Sequence, residues 1–116
     1  MAVANPPVAS VARFTETTTP LAGNGVFTGP ARALGDSSIF RFFALTDQAG
    51  TLHIEGSLDG ATNWRDYAAG GLAVGAGAPA TGWYDTYHPF MRARYVNGAV
   101  AQASLELVTN VTSNNS

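Results

Sequence analysis

The sequence predicts an all-β protein, an antiparallel β-sandwich of jelly-roll-like or immunoglobulin-like size carrying an extended N-terminal arm. Three observations predict it. Leu52 and Ile54 alternate with His53 and Glu55, and Met91, Ala93 and Tyr95 alternate with Arg92, Arg94 and Val96, the period-two signature of a strand with one face buried. The 13 Gly in 116 residues, with many Thr, Ser and Asn, fit a chain rich in turns. No helical periodicity runs beyond a turn or two.

The elements follow in order. Met1 to Glu16 reads as an extended arm, because Asn5-Pro6-Pro7 excludes helix and central strand alike; a short strand over Val11 to Glu16 is compatible with it. Thr17 to Gly25 is a loop and Val26 to Thr28 a short strand. Ser38 to Thr46 is the best core strand: Ile39, Arg41, Phe43 and Leu45 on one face, Phe40, Phe42 and Ala44 on the other. Two largely apolar faces imply a central strand in a sandwich or one covered on both sides.

Asp47 to Gly50 is expected to turn the chain so that Thr51 to Ser57 returns against that strand. Trp64 to Tyr67 is a further short strand, and Ala68 to Pro79 a Gly-rich loop wrapped around Leu72 and Val74. Thr81 to Thr86 leads into a final hairpin. There Asn97-Gly98, a strong hairpin signal, brings Ala101, Ala103, Leu105 and Leu107 back against Met91 to Tyr95. The domain is thus expected to span residues 17–108, followed by a frayed polar tail at 109–116.

Composition bounds the chemistry. One hundred and sixteen residues suffice for one modest core. Six Arg, no Lys, eight acids and a net charge of −2 do not supply the basic stripe that phosphate binding requires, so nucleic acid is not an expected partner. With no Cys, disulfides and thiolate metal sites are impossible. Met1 to Phe14 lacks the pattern of a secretory signal, and no apolar run approaches the ~20 residues that cross a bilayer, so the chain is expected to be made in the cytoplasm without a membrane partner. Asn110-Val111-Thr112 and Asn114-Asn115-Ser116 match the glycosylation sequon and are read as chance.

Candidate sites are few. His53 and Glu55 share a strand face, which reads as its polar side, since a zinc site needs about three protein ligands. His88-Pro89 marks a turn. No Gly-x-Ser-x-Gly elbow supports a triad, so no catalytic residue, metal or cofactor is assigned and the chain is read as non-enzymatic.

Ser57 to Trp64 reads as a tight turn with Gly60 left-handed and Trp64 folding back onto the core. The competing reading gives Asp59, Thr62 and Asn63 to Ca²⁺, but the acids are too few. Arg41, Arg92 and Arg94 either lie over apolar surface and pair with Glu55 and Glu106, or form a small basic patch for an acidic partner. Trp83, Tyr84, Tyr87 and Phe90 close one end of the core. Alternatively Trp83, Tyr84 and Tyr87 form an exposed platform.

Two motifs carry a resemblance. Gly-Thr-Leu-x-Ile-Glu-Gly-Ser-x-Asp-Gly-x-x-x-Trp at Gly50 to Trp64 is followed by Arg-x-Arg-Tyr-x-Asn-Gly-Ala-x-Ala-Gln at Arg92 to Gln102. With Thr17-Thr18-Thr19-Pro20-Leu21 and Phe27-Thr28-Gly29-Pro30, the pattern over residues 15–108 resembles small structural proteins of tailed bacteriophages, most of all capsid decoration (cement) proteins. The resemblance implies a virion protein on the capsid surface, often a homotrimer, whose partner is the major capsid protein. It places shell contact on the arm, at Asn5, Pro6, Pro7, Val8, Val11, Arg13 and Phe14, by strand addition to a neighbour.

The Ser57 to Trp64 piece also resembles the core hairpin of discoidin-like carbohydrate-binding modules, whose paired cysteines this chain lacks. An adhesion module of a tail or head fibre is therefore the alternative function. A tail or head–tail connector component is the third.

Overall fold

A computed structural model describes residues 11–34 and 39–112. They form ten strands: β1 Val11–Thr17, β2 Val26–Thr28, β3 Arg32–Ala33, β4 Ile39–Thr46, β5 Gly50–Ser57, β6 Arg65–Asp66, β7 Leu72–Val74, β8 Ala80–Asp85, β9 Phe90–Asn97 and β10 Leu105–Thr112. Among the described residues there is no helix. The strands make two antiparallel sheets, one ordered β1-β10-β4-β8 and the other β2-β9-β5-β6, with β3 also on β9 and β7 on β5. The all-β sandwich expected from sequence is the observed architecture.

The pairing is nested. β1 lies on β10, β2 on β9, β4 on β8, and β5 on β6 and β7. A chain paired from its ends inward and rolled into two sheets is a jelly roll, which decides between the two sandwich types left open above.

Nesting overturns two expected hairpins. β4 and β5 do not pair, and neither do β9 and β10, because each pair is split between the sheets. At Asn97-Gly98 the reason is local. A two-residue type I′ turn needs positive φ at both central residues, and neither Asn97 nor Gly98 has it. Instead the Asn97 amide donates to the carbonyls of Ala22 and Val100, both at 2.9 Å, and the chain crosses to the other sheet.

The two crossings lie together and stitch one end of the sandwich. The Asp47 carboxylate accepts the N–H groups of Ala103 (3.0 Å) and Ser104 (3.1 Å), and the Ser104 bond leads in holding its carboxyl below the usual aspartate range. Gln102 donates to the Thr46 hydroxyl (2.8 Å) and accepts from the Leu21 N–H (2.8 Å).

Two boundaries also move. Residues 11–16, expected in the arm, belong to β1 and pair with β10, and residues 109–112, expected in the frayed tail, complete β10. Thr109 and Val111 are buried. Asn5, Pro6, Pro7 and Val8 lie outside the described residues, as does the segment after Thr112. The core comprises Phe40, Phe42, Ala44, Leu107 and Val111 from one sheet and Leu52, Ile54, Met91, Ala93 and Tyr95 from the other, with Leu34 and Val74 beside them.

Candidate functional site

The two outer faces of the sandwich differ, and the difference locates the site. On the β2-β9-β5-β6 sheet the central charges are satisfied internally. Glu55, nearly buried, accepts from Arg92 Nε at 2.7 Å and Arg94 Nε at 3.1 Å. The Arg92 guanidinium lies 4.1 Å from the Trp64 ring centroid, a cation–π contact. His53 Nδ1 stands 3.2 Å from Asp66. Trp64 therefore folds back onto this outer face under Arg92 rather than onto the core. Glu55 and His53 hold different partners, and among the described residues no group of three metal-ligating side chains exists.

On the β1-β10-β4-β8 sheet the opposite holds. Strand register aligns Arg13, Asn110, Arg41 and Trp83 in one row across all four strands. The next row is Thr15, Val108, Phe43 and Thr81. Arg13 and Arg41 are exposed, and among the described residues neither is in an ion pair. Trp83 is 54% exposed. Asn110 Oδ1 is buried and without a hydrogen-bond partner, a condition that costs free energy until a donor arrives.

Two shallow depressions meet over Phe43, Val108 and Asn110. One, about 280 Å³, runs to Arg41 and Trp83. The other, about 310 Å³, runs to Arg13 and Glu106. β4 is thus a central strand of a sandwich sheet, one of the two expected settings, and its outward apolar residues Ile39, Phe43 and Leu45 stay half-buried.

The sequence-derived candidates are partly brought together. Arg13 and Trp83 end the same row. Phe14 points the other way, packed against the core beneath the Arg32 guanidinium. Trp83 and Tyr84 alternate to opposite faces of β8, so the three-residue platform does not form. Tyr84 is half-buried, 6.0 Å from Phe42 and 5.4 Å from Tyr67 between ring centroids, and closes the core end. Tyr87 lies beyond β8 at 86% exposure. Arg92 and Arg94 take the paired reading, on Glu55, whereas Arg41 keeps its charge available. Asn110 and Val108 were missed as site residues. The signal was Leu105, Leu107 and Val111 at period two, which continues past Val108.

The Ser57–Trp64 loop takes its structural reading. Asp59 accepts from the Thr62 hydroxyl (2.7 Å), the N–H groups of Thr62 (2.8 Å) and Ala61 (2.9 Å), and the Ser57 hydroxyl (2.9 Å). These bonds, the Thr62 hydroxyl foremost, hold its carboxyl far below the ordinary value of 3.8. Both oxygens are occupied, which leaves no arrangement for Ca²⁺, and Gly60 at φ 75° supplies the left-handed turn.

Because the folded pKa is depressed, the loop's stabilisation is present above the unfolded aspartate value and is lost as pH falls through the folded one. Asp59→Ala is expected to raise the hydrogen-exchange rates of the Ala61 and Thr62 amides at neutral pH, while core amides keep theirs. Unchanged protection would contradict the assignment. In the wild type the same two amides lose protection only well below pH 3.8.

A jelly roll with one self-satisfied face and one uncovered face is the class of module this fold defines. Residues 5–112 match the family described as "Uncharacterised protein YqxG N-terminal domain", and the chain belongs to that family. No curated protein matches it in sequence. Among solved structures it is similar to the PBSX exported protein XepA, with 27% identity and a TM-score of 0.79 over 99% of this chain. The chain spans 40% of XepA's length.

It is also similar to the Tobacco streak virus coat protein in its dimer (8% identity, TM-score 0.58, 98% of this chain and 91% of that one). A protein of Bacillus endospore appendages, disulfide-linked pili, shares 12% identity at a TM-score of 0.55, over 97% and 96% of the two chains. The last two likenesses are of fold alone. Among the described residues no helix is long and apolar enough to cross a membrane.

Proposed function

We propose that this chain is a non-enzymatic structural domain of a phage particle, a decoration (cement) module that binds the outside of the capsid and bridges its subunits. The observation that carries this reading is the uncovered outer face of the β1-β10-β4-β8 sheet. There Trp83, Phe43 and Val108 supply apolar contact, Arg13 and Arg41 supply unmatched charge, and Asn110 Oδ1 waits for a donor. Aromatic and Arg side chains are the usual anchors of a protein interface. The partner that fits is an acidic, partly apolar surface of the major capsid protein.

Asn5, Pro6, Pro7 and Val8, with Val11 at the start of β1, extend the contact from the Arg13 edge. Assembly of the module as a homotrimer belongs to the same proposal, since many weak copies suffice on a repetitive shell. The likeness to a PBSX protein supports the phage setting.

The test is co-sedimentation of the purified chain with capsids lacking it. Trp83→Ala is expected to weaken binding about 30-fold, the loss of one interface anchor of about 2 kcal/mol, and adding Arg41→Glu to weaken it further, with the melting temperature unchanged. Binding that survives the double substitution would overturn the assignment of this face. Failure of the wild type to sediment with any capsid would overturn the function.

A further inference from the structure

The sandwich end that carries Tyr87 holds a second site, independent of the sheet face. Arg65 and Tyr67 come from β6 and the residue after it. Tyr87 and His88 come from the loop between β8 and β9. The Tyr67 hydroxyl stands 2.6 Å from His88 Nδ1. Burial pushes the Tyr67 phenol up, while backbone N–H groups of Tyr87 and His88 directed at its oxygen pull the other way. One hydrogen bond thus ties the Tyr67 hydroxyl to Nδ1, with its direction set by the imidazole tautomer, and the Nε2 edge of His88 is left for a ligand.

The anchor is rigid. A Cβ on Gly56 would come within 2.8 Å of both the His88 and the Tyr67 rings, so these two rings sit directly on the β5 backbone. Tyr87 is different. Its ring lies 6.1 Å from Tyr67 and 5.5 Å from His88, tilted 34–35° to each, yet 86% of the residue is exposed. Core closure uses Tyr67 and Tyr84 and has no need of it. Its ring face is thus open to a ligand beside the two anchored rings.

Two depressions meet at Arg65 and His88. One, about 380 Å³, is walled by Tyr67 and Tyr87 with Asp66 at its rim. The other, about 240 Å³, is lined by Leu58 together with the polar side chains of Asp59, Thr62 and Asn63. Arg65 is exposed, and among the described residues it is in no ion pair. An aromatic wall beside a hydrogen-bonding wall matches one chemistry above others, a ring with an apolar C–H face and a hydroxylated edge.

Asp59 and Asp66 line the same two depressions as Arg65, so an anionic ligand would meet two carboxylates for one cation. A nucleic acid would need more cations than the one Arg present. We propose that this cleft binds a neutral oligosaccharide. One sugar ring lies on Tyr87, its hydroxyls reach Arg65 and His88 Nε2, and the next residue of the glycan enters the Asn63 side.

The experiment is an array of neutral hexose and N-acetylhexosamine oligosaccharides probed with the full chain, followed by titration of the best binder monitored by NMR. The result expected is shift changes confined to Asn63, Arg65, Tyr87 and His88. Tyr87→Ala and Arg65→Ala are each expected to weaken binding about tenfold, with melting temperature unchanged because both side chains are exposed. Trp83→Ala, on the other face, leaves glycan binding intact. An array with no neutral glycan bound overturns the proposal, as does binding that survives both cleft substitutions. Neither outcome bears on capsid association, which is read separately through Trp83 and Arg41.

Discussion

Replacing Arg32 by methionine is expected to lower the stability of the domain by about 3–5 kcal/mol, the cost of stranding a buried charge. Glu16 is where that charge lies. The β1–β10 register passes from Thr15 opposite Val108 to Thr17 opposite Leu107, so Glu16 is the extra residue of a bulge. Its side chain is fully buried. The carboxylate accepts from Arg32 at 2.8 and 3.2 Å and from the Thr109 hydroxyl at 2.7 Å. Arg32 belongs to β3, on the opposite sheet, and its guanidinium also stacks 3.8 Å above the Phe14 ring centroid.

This cluster therefore clamps the two sheets together at the edge strand that bears Arg13. In Arg32→Met the carboxylate keeps only the Thr109 donor. At roughly 4 °C per kcal/mol for a domain of this size, the melting temperature should fall by about 12–20 °C. Glu16→Leu combined with Arg32→Met should recover most of that loss, because an apolar pair replaces a buried ion pair at little cost. A double-mutant cycle measured by denaturant unfolding checks both arms. A single-mutant loss below about 1 kcal/mol would mean that the pair is not a clamp.

Sandwich architecture was legible because period two fixes which side chains face inward, and it does so strand by strand. Phe40, Phe42 and Ala44, and Leu52 and Ile54, went to the core as their alternation requires. Strand partners were not legible, for a physical reason. In a nested fold each partner lies far away in sequence, so local turn chemistry at Asn97-Gly98 competes with long-range register and loses. The clamp was equally hidden: Glu16 in a presumed arm and Arg32 before an apolar residue carry no local pattern.

Half of the candidate face could be read. The two apolar faces of β4 announced a surface that wants covering, and Arg41 was named as one of a possible basic patch. The row itself needs β1, β10, β4 and β8 side by side, an order that no single strand encodes. Reading TNVTSNNS as polar tail removed Asn110 from consideration, although the alternation of Leu105, Leu107 and Val111 passes straight through it.

A tight constraint on the sequence falls on a glycine whose φ is unremarkable. Gly50 opens β5 and pairs with both Asn97 and Val74. A Cβ there would collide with the Tyr95 hydroxyl and stand 2.7 Å from Tyr95 Cζ and 2.7 Å from the Val96 carbonyl oxygen. Tyr95 is wholly buried, so its ring has nowhere to swing, and the carbonyl belongs to the β5–β9 ladder. Gly50→Ala is expected to cost about 3 kcal/mol, the upper range for overpacking a well-filled core.

Gly75→Ala is the control. Its Cβ meets nothing nearer than 3.9 Å and its φ is not positive, so the change is expected to be neutral or slightly stabilising. Tyr95→Phe in the Gly50→Ala background removes the hydroxyl collision but leaves Cζ and the Val96 oxygen in place, so rescue should be partial. Complete rescue would show that the hydroxyl alone sets the constraint. A cost for Gly50→Ala no larger than that of Gly75→Ala would show that the two sheets can part at this end, and the stitched crossing of Asp47, Gln102 and Asn97 would then not be the rigid corner on which the nested pairing turns.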